Sequence, residues 1–402
     1  MINLENPKKF RGLVSQAQQV AREIFRPNSR KYDLAEHEYP KELDILGALL
    51  DGMNASGAGE GAGAAGVRRD AVQDQGNRNS SNMSTALGTM ELCWGDVGFL
   101  LTMPRQGLGN SAIASVANDE QLKRFAGRWA AMAITEPHCG SDSAAIRTTA
   151  TKDGDHYVLN GDKIFVTSGE RADLVVVWAT LDKNIGRAAV KSFVVEKGTP
   201  GLELVRLEHK LGIRASDTVQ FALRACRVHQ DNLLGDPEIN VEKGFAGVMQ
   251  TFDNTRPLVA AMAVGLARAC LEETRKILET AGIVIDYNRP ASVQTAAAAQ
   301  FMAMEADYEA ARLLTLQAAW MADNRKPNSL QASMAKAKAG RSCVDIALKC
   351  VELCGSQGYG EGELLEKWAR DSKILDIFEG TQQIQLLIIA RRLLGKTSAE
   401  LK

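Results

Sequence analysis

Ala131-Met132-Ala133-Ile134 is where the chain changes period. Before it, apolar residues recur at helical spacing, as Leu13, Ala17, Val20 and Ile24 do within Phe10 to Ile24. After it the spacing drops to two, the period of a strand whose successive side chains face opposite ways. His156 to Leu159, Leu174 to Trp178, Ser192 to Val195, Gly201 to Leu207 and Val219 to Val228 continue the strand pattern, with turn residues between them. Asn160-Gly161 reads as a hairpin turn, because both residues tolerate positive φ, and Lys197-Gly198 as another turn. From Glu242 the helical period returns in Pro257 to Leu278, Gln294 to Asn324, Ser329 to Cys354 and Gln382 to Leu394. The expected class is α+β. An N-terminal helical domain (1–128) precedes a middle antiparallel β-barrel or sandwich (129–241), and a C-terminal four-helix bundle (242–402) follows.

Within the first of these units, Arg26-Pro27 is expected to stop the first helix and Leu43 to Leu50 to form a short second one. The Gly/Ala/Asn/Ser-rich stretch Asp51 to Ser84 reads as an excursion, after which Met90 to Met103 is helical until Pro104 breaks it. That excursion contains Gly61-Ala-Gly63-Ala-Ala-Gly66, a match to the dinucleotide fingerprint. The fingerprint works only between a buried strand and a helix whose N-terminus meets a pyrophosphate. No strand precedes it here, so a glycine loop is the better reading and a nicotinamide site is set aside.

Bulk composition excludes several classes. With 48 basic and 49 acidic residues the net charge is −1, which argues against nucleic acid or an anionic membrane as the main ligand. The longest apolar run, Pro257 to Ala267, is cut by Arg268 and is too short for membrane insertion. The N-terminus lacks a secretory signature, so the expected location is cytoplasmic. The 7 cysteines have no CxxC spacing and the 5 histidines form no HExxH pair, so no metal site is expected.

Four blocks carry residues suited to chemistry. Ala133-Ile-Thr-Glu-Pro-His-Cys-Gly-Ser-Asp142 ends a strand with exposed amides and the hydroxyls of Thr135 and Ser141; it could cup a polar ring edge or be a strand-ending turn. Lys163-Ile-Phe-Val-Thr-Ser-Gly169 alternates like a strand and puts Phe165 and Thr167 on one face, suited to stacking on a flat group or to an ordinary core. Phe252-Asp-Asn-Thr-Arg-Pro257 stands directly before a long helix, where Pro at the first turn is a usual start. In Asp376-Ile-Phe-Glu-Gly-Thr-Gln-Gln-Ile-Gln385, Glu379 sits on a glycine-flanked break among Ile374, Leu375, Ile377, Phe378 and Ile384. A carboxylate walled by apolar side chains has a raised pKa and suits a base; the alternative is a helix N-cap region with Thr381 as cap.

These four blocks, in this order and spacing, resemble the acyl-CoA dehydrogenase family from about residue 85 to residue 395. Gly355-Ser-Gln-Gly-Tyr359 and Trp368-Ala-Arg-Asp-Ser-Lys373 lie upstream of the fourth block and add to its specificity. The resemblance implies FAD-dependent α,β-dehydrogenation of an acyl-CoA thioester to the trans-2-enoyl-CoA. It implies Glu379 as catalytic base, since position 255, where a family minority carries the base, is Thr. It places FAD against Ile134, Thr135, Ser141, Phe165, Thr167, Glu352, Ser356, Thr381 and Gln383. It places substrate against Ser141, Asp253, Arg256, Phe378 and Gly380. It implies an electron-transferring flavoprotein as acceptor and a homotetramer or homodimer. The alternatives are an FAD-binding subunit of a hetero-oligomer, or a flavin oxidase or monooxygenase on the same fold.

The chain departs from the family pattern at two points. Relatives carry Arg-x-x-Phe-Gly after the first bundle helix, reaching a neighbouring subunit's FAD, whereas this chain has Thr280-Ala-Gly-Ile-Val-Ile-Asp-Tyr-Asn-Arg-Pro290 with Arg289 as a substitute candidate. A usual Gln before the glycine-rich turn is Glu352. Both departures concern the pyrophosphate and adenine end of FAD.

Overall fold

A computed structural model of the chain describes residues 7–47, 79–104, 108–239 and 246–397 together with residue 400, with the backbone alone over 246–254. The glycine-rich stretch over 51–78, including Gly61, Gly63 and Gly66, lies outside the described residues.

Helix α1 (Arg11–Val20) does not end at Arg26-Pro27 as expected. It passes through a π turn, Ala21–Phe25, into α2 (Arg26–Leu34), where Pro27 occupies the first turn. Proline is harmless there, because the widened turn has already opened the ladder and the missing N–H has no helical partner. Residues 43–47 form the expected short helix. The end of the supposed excursion is helical too: α3 (Ser81–Gly95) starts where the Asp323 carboxylate accepts from the amides of Ser80, Asn82 and Met83 at 2.7, 2.9 and 3.0 Å. Asp96 then splits the expected Met90–Met103 helix. Its side chain caps α4 (Val97–Thr102) by accepting from Phe99 N at 2.9 Å, and also takes Lys367 Nζ at 2.6 Å. Helices α5 (Leu108–Val116) and α6 (Asp119–Arg124) complete this part.

The strands are β1 (Ala130–Ala133), β2 (Thr149–Asp153), β3 (His156–Thr167), β4 (Leu174–Thr180), β5 (Val190–Glu196), β6 (Leu202–Leu207), β7 (Thr218–His229) and β8 (Leu233–Leu234). They form one sheet in the order β6-β7-β3-β2-β4-β5-β8, with β1 paired to β4. The pairing is mainly antiparallel, as expected, but β1 lies parallel to β4, and Thr149 pairs in parallel with Thr180. Strand β4 is buried throughout and apolar up to Thr180, because both its faces are covered. Val175, Val177 and Ala179 enter one core layer, while Leu174, Val176 and Trp178 enter a second with Ala112 and Ile113 of α5.

Asn160-Gly161 is not a turn. The β2–β3 reversal lies at residues 154–155, between the paired Asp153 and His156, and β3 runs straight through Gly161 with a bulge against β7. Glycine is needed there for closeness: a Cβ would stand 2.3 Å from Thr148 Oγ1 and 2.7 Å from Thr148 Cα. Gly161→Ala is accordingly expected to cost about 1–3 kcal/mol, the range for forced overpacking, read as a lower urea midpoint with an unchanged slope.

The C-terminal part comprises α7 (Ala246–Thr280), α8 (Ala296–Asp323), α9 (Ser329–Tyr359), α10 (Leu365–Leu375) and α11 (Gln382–Leu394). Pro257 does not start α7 but lies inside it, eleven residues after Ala246, and α10 is a helix beyond the four anticipated. Phe25, Tyr32 and Phe99 of the N-terminal helices share a single core with Ala260, Val264, Cys343 and Trp368 of the C-terminal ones. The sheet is tied to this core through the loop after β6. Ile213 N donates to Asp371 Oδ1 at 2.5 Å, and Arg370 Nη1 donates to Leu211 O at 3.0 Å, both on α10. Four residues beyond α10 comes Glu379.

Candidate functional site

Glu379 lies in the link between α10 and α11, and the backbone there is unusual. Its φ is 55°, and that of Gly380 is 91°, so two consecutive residues are left-handed. For a residue with a Cβ this costs roughly 1–2 kcal/mol and persists only where the surroundings enforce it. Four features enforce it. Gln382 N donates back to Asp376 O at 3.1 Å, and Thr381 caps α11 through Ile384 N. Gln385, fully buried, places Nε2 3.1 Å from both Glu379 O and Gly380 O. Lys336 of α9, also fully buried, donates Nζ to Gly380 O at 2.7 Å. Any side chain at Gly380 would put a Cβ 2.5 Å from Gln385 Nε2.

The resulting geometry turns the Glu379 carboxylate toward α7, where Oε2 accepts from Thr255 Oγ1 at 2.7 Å. Burial pushes its pKa above the ordinary carboxylate value, against the opposing pull of the Thr255 hydrogen bond and the charges of Arg256 and Lys336. A carboxylate so held is oriented and is more basic than one in water. It can take a proton from a weakly acidic carbon.

The second constellation lies on the sheet. Glu136 and Lys163, both buried, pair at 2.8 Å, and Lys163 Nζ also reaches Ile134 O at 3.1 Å. Glu136 further accepts from Thr148 N at 2.9 Å, Thr148 Oγ1 at 2.5 Å and Arg147 N at 2.7 Å. Ile164 N donates to Thr135 O at 2.9 Å, so β3 is fastened to the strand end that carries Ile134 and Thr135. Directly after Lys163 the β3–β7 register slips, and Phe165 takes φ 58°. Its ring is left 59% exposed while Val166 is fully buried. An open aromatic surface on a strained backbone, with Thr135 and Thr167 partly exposed and Ser141 exposed nearby in the chain, is a platform rather than a core strand.

The other expected residues fall in different settings. Arg256 is buried beside Thr255, whereas the side chain of Asp253 is outside the described residues. Phe378 packs partly against the shared helical core, and Gln383 is exposed on α11. Glu352 is exposed and pairs with Lys349 at 2.6 Å, so its charge is met within α9. Ser356 is exposed just past the helix break at Gly355, whose φ is 55°. Arg289 is exposed in the loop between α7 and α8, its carbonyl accepting from Gln294 Nε2 at 3.0 Å. Sequence reasoning missed Lys163, Glu136, Lys336 and Gln385. One of them had a signal: Lys336 shares a helical face with the small residues Ala332, Ala339 and Gly340, a stripe in which a cation is out of place.

Comparison with known proteins adds to this geometry. Residues 131–226 match the family described as "Acyl-CoA dehydrogenase, middle domain", and residues 242–394 match "Acyl-CoA dehydrogenase, C-terminal domain". The chain is 37% identical over 262 residues to the mitochondrial short-chain specific acyl-CoA dehydrogenase of Mus musculus, covering 65% of this chain and 62% of that enzyme. It is 35% identical over 307 residues to an acyl-CoA dehydrogenase of Bacillus subtilis, covering 75% and 79%. The aligned stretch thus takes in less than two thirds of the mouse enzyme. In three dimensions it resembles butyryl-CoA dehydrogenase from Megasphaera elsdenii with a TM-score of 0.82 and 28% identity, over 98% of this chain and 100% of that one.

Proposed function

Because the chain belongs to the acyl-CoA dehydrogenase family, we propose that it oxidises an acyl-CoA thioester between its α and β carbons, with FAD as resident cofactor and Glu379 as base. One observation carries the reading: a carboxylate of raised proton affinity, locked by two left-handed residues and aimed by Thr255.

The residues present fit a flavin. The Phe165 ring is exposed and held in a strained conformation, an apolar plate that a flat ring would cover. The hydroxyls of Thr135, Ser141, Thr167 and Thr381 and the amide of Gln383 offer both donors and acceptors for its polar edge. Ile134 supports the platform through its carbonyl contact with Lys163. Bound FAD supplies an acceptor for the hydride that leaves the β carbon. The protein supplies the rest. Thr255 orients the carboxylate, Glu379 removes the α proton, and the Glu379 backbone N–H is the donor that resemblance implies for the thioester carbonyl. Phe378 and Gly380 line the acyl group beside the base, Arg256 adds positive charge on the substrate side, and Asp253 and Ser141 complete the proposed substrate contacts.

A short acyl chain is the first substrate class to test, given the names of the mouse and Megasphaera relatives. An electron-transferring flavoprotein is the proposed acceptor, and the cytoplasm the proposed setting; among the described residues no helix is long and apolar enough to cross a membrane. Self-association is supported by α11, whose Leu386, Leu387, Leu393 and Leu394 are exposed on the same helix. Homo-oligomers are favoured, with Arg289 or another subunit meeting the FAD phosphates.

The test is direct. The purified protein is expected to be yellow with stoichiometric FAD, and to bleach anaerobically with at least one of butyryl-, octanoyl- and palmitoyl-CoA. Absence of bleaching with all three would overturn the reading; rapid oxygen consumption by the reduced protein would make it an oxidase instead.

A further inference from the structure

We propose that Lys336 is a positioning residue for Glu379: its buried ammonium clamps the carbonyl of Gly380 and keeps a positive charge behind the base. This deepens the proposed function and rests on Glu379 being the base.

The geometry is built rather than incidental. Lys336 is fully buried on α9, and its Nζ lies 2.7 Å from Gly380 O. Burying an ammonium is expensive, so a lysine there requires compensation. Among the described residues it has one strong acceptor, the Gly380 carbonyl. Its remaining compensation is electrostatic, from Asp376 at the end of α10 and from Glu379 itself. Burial lowers the Lys336 pKa to about 8, with Asp376 and Glu379 raising it and Arg256 lowering it, so the group is mainly charged at neutral pH.

Two consequences follow for Glu379. The first is mechanical. Gly380 O accepts from both Lys336 Nζ and Gln385 Nε2, and these bonds oppose relaxation of the two left-handed residues toward ordinary φ. The second is electrostatic. Lys336 and Arg256 both pull the Glu379 pKa down against burial, which keeps the carboxylate ionised and able to act as a base. The groups that face this pair are the Thr255 hydroxyl and Arg256 on α7, Lys336 on α9 and Asp376 after α10. Asp376 is itself met by Arg341 and Lys373, each at 3.3 Å.

Three variants separate the two consequences, each purified with its flavin and assayed with the acyl-CoA that bleaches the wild type. Lys336→Gln keeps a donor for Gly380 O but loses the charge, Lys336→Met loses both, and Gln385→Leu loses only a neutral donor. Lys336→Met is expected to lower kcat about 10- to 100-fold, the scale of sub-ångström misplacement of a reacting group, with KM little changed. In both Lys336 variants the acid limb of the kcat profile moves to higher pH, because loss of a nearby cation raises the Glu379 pKa. In Gln385→Leu kcat falls while the acid limb stays in place. If Lys336→Met does not fold, Lys336→Gln carries the same comparison. An acid limb at the wild-type pH in the folded charge-free variants, or wild-type kcat in Lys336→Met, overturns the proposal. Glu379→Gln is run beside them: if that variant stays active the base assignment has failed, whereas its inactivity together with an unmoved limb indicts Lys336 alone.

Discussion

Glu379→Gln is expected to keep the fold and the flavin while lowering turnover by about 10²–10⁴, the range for loss of a general base. The substitution is isosteric, and the amide oxygen of Gln can still accept the Thr255 hydroxyl that now lies 2.7 Å from Oε2. The backbone clamp does not depend on the carboxylate, since Lys336 and Gln385 bind main-chain oxygens. Stability should not suffer either. Burial disfavours the ionised form of this side chain, so a neutral amide relieves a desolvation cost even as Arg256 and Lys336 lose a counter-charge. The loss therefore belongs to chemistry. It is measured as the rate of anaerobic flavin bleaching under single turnover with saturating acyl-CoA, which separates the chemical step from binding and release. A rate within a few-fold of wild type would remove Glu379 from the proposed mechanism and leave the site without its base.

The order of helices, strands and helices was legible because periodicity reports burial, and burial here is regular. Strand β4 and the long helices follow from it directly. The misreadings have two physical causes: a tertiary contact that overrides a local preference, and a proline accommodated where the helix runs on. Asn160-Gly161 prefers a hairpin, yet Asn160 Oδ1 is used to accept from Ala225 N at 2.8 Å and Gly161 to admit Thr148. Pro27 prefers to start a helix and does so, but the π turn before it lets the preceding helix run into the same rod. Pro257 was read as a helix start and is instead tolerated within α7. The break at Asp96 has a local mark, Gly95 followed by an Asp that caps the next helix through Phe99 N, and Lys367, 271 residues away, fixes it. The proposed base was visible for a different reason. A glutamate followed by glycine inside an apolar helical pattern is anomalous at the level of sequence, and the anomaly marks the strained link that presents it. Gln385 stands in an ordinary helical run, and what it and Lys336 hold becomes apparent only when the α10–α11 link folds back onto them.

Lys163→Met is expected to destabilise the protein by about 3–5 kcal/mol, the cost of removing one partner from a buried ion pair. The Lys163 side chain is wholly enclosed, and without it the Glu136 carboxylate and the Ile134 carbonyl, 2.8 and 3.1 Å from Nζ, lose their cation in a site that water does not reach. Glu136 keeps the donors from Arg147 and Thr148, so it is weakened rather than stripped. The pH dependence gives the effect a signature. Burial raises the Glu136 pKa, but the Lys163 charge and the surrounding hydrogen bonds more than offset it and hold the carboxyl below its ordinary value. A depressed carboxylate contributes stability above its unfolded pKa and loses it as pH falls through the folded one. The gap between wild type and Lys163→Met should therefore be widest near neutrality and narrow in acid, as pH falls from the ordinary carboxylate range through the lowered Glu136 pKa. Urea midpoints at both ends of that interval measure it. Adding Glu136→Leu to Lys163→Met should restore part of the loss, since an uncompensated charge no longer lies in the core, and the double-mutant cycle gives the coupling. Retention of the proposed flavin is expected to track the same pair. Phe165 follows Lys163 by two residues and holds φ 58°, a conformation that a slackened β3 would release. Equal midpoints for Lys163→Met and wild type at neutral pH would show that the platform is held by the strand ladder alone.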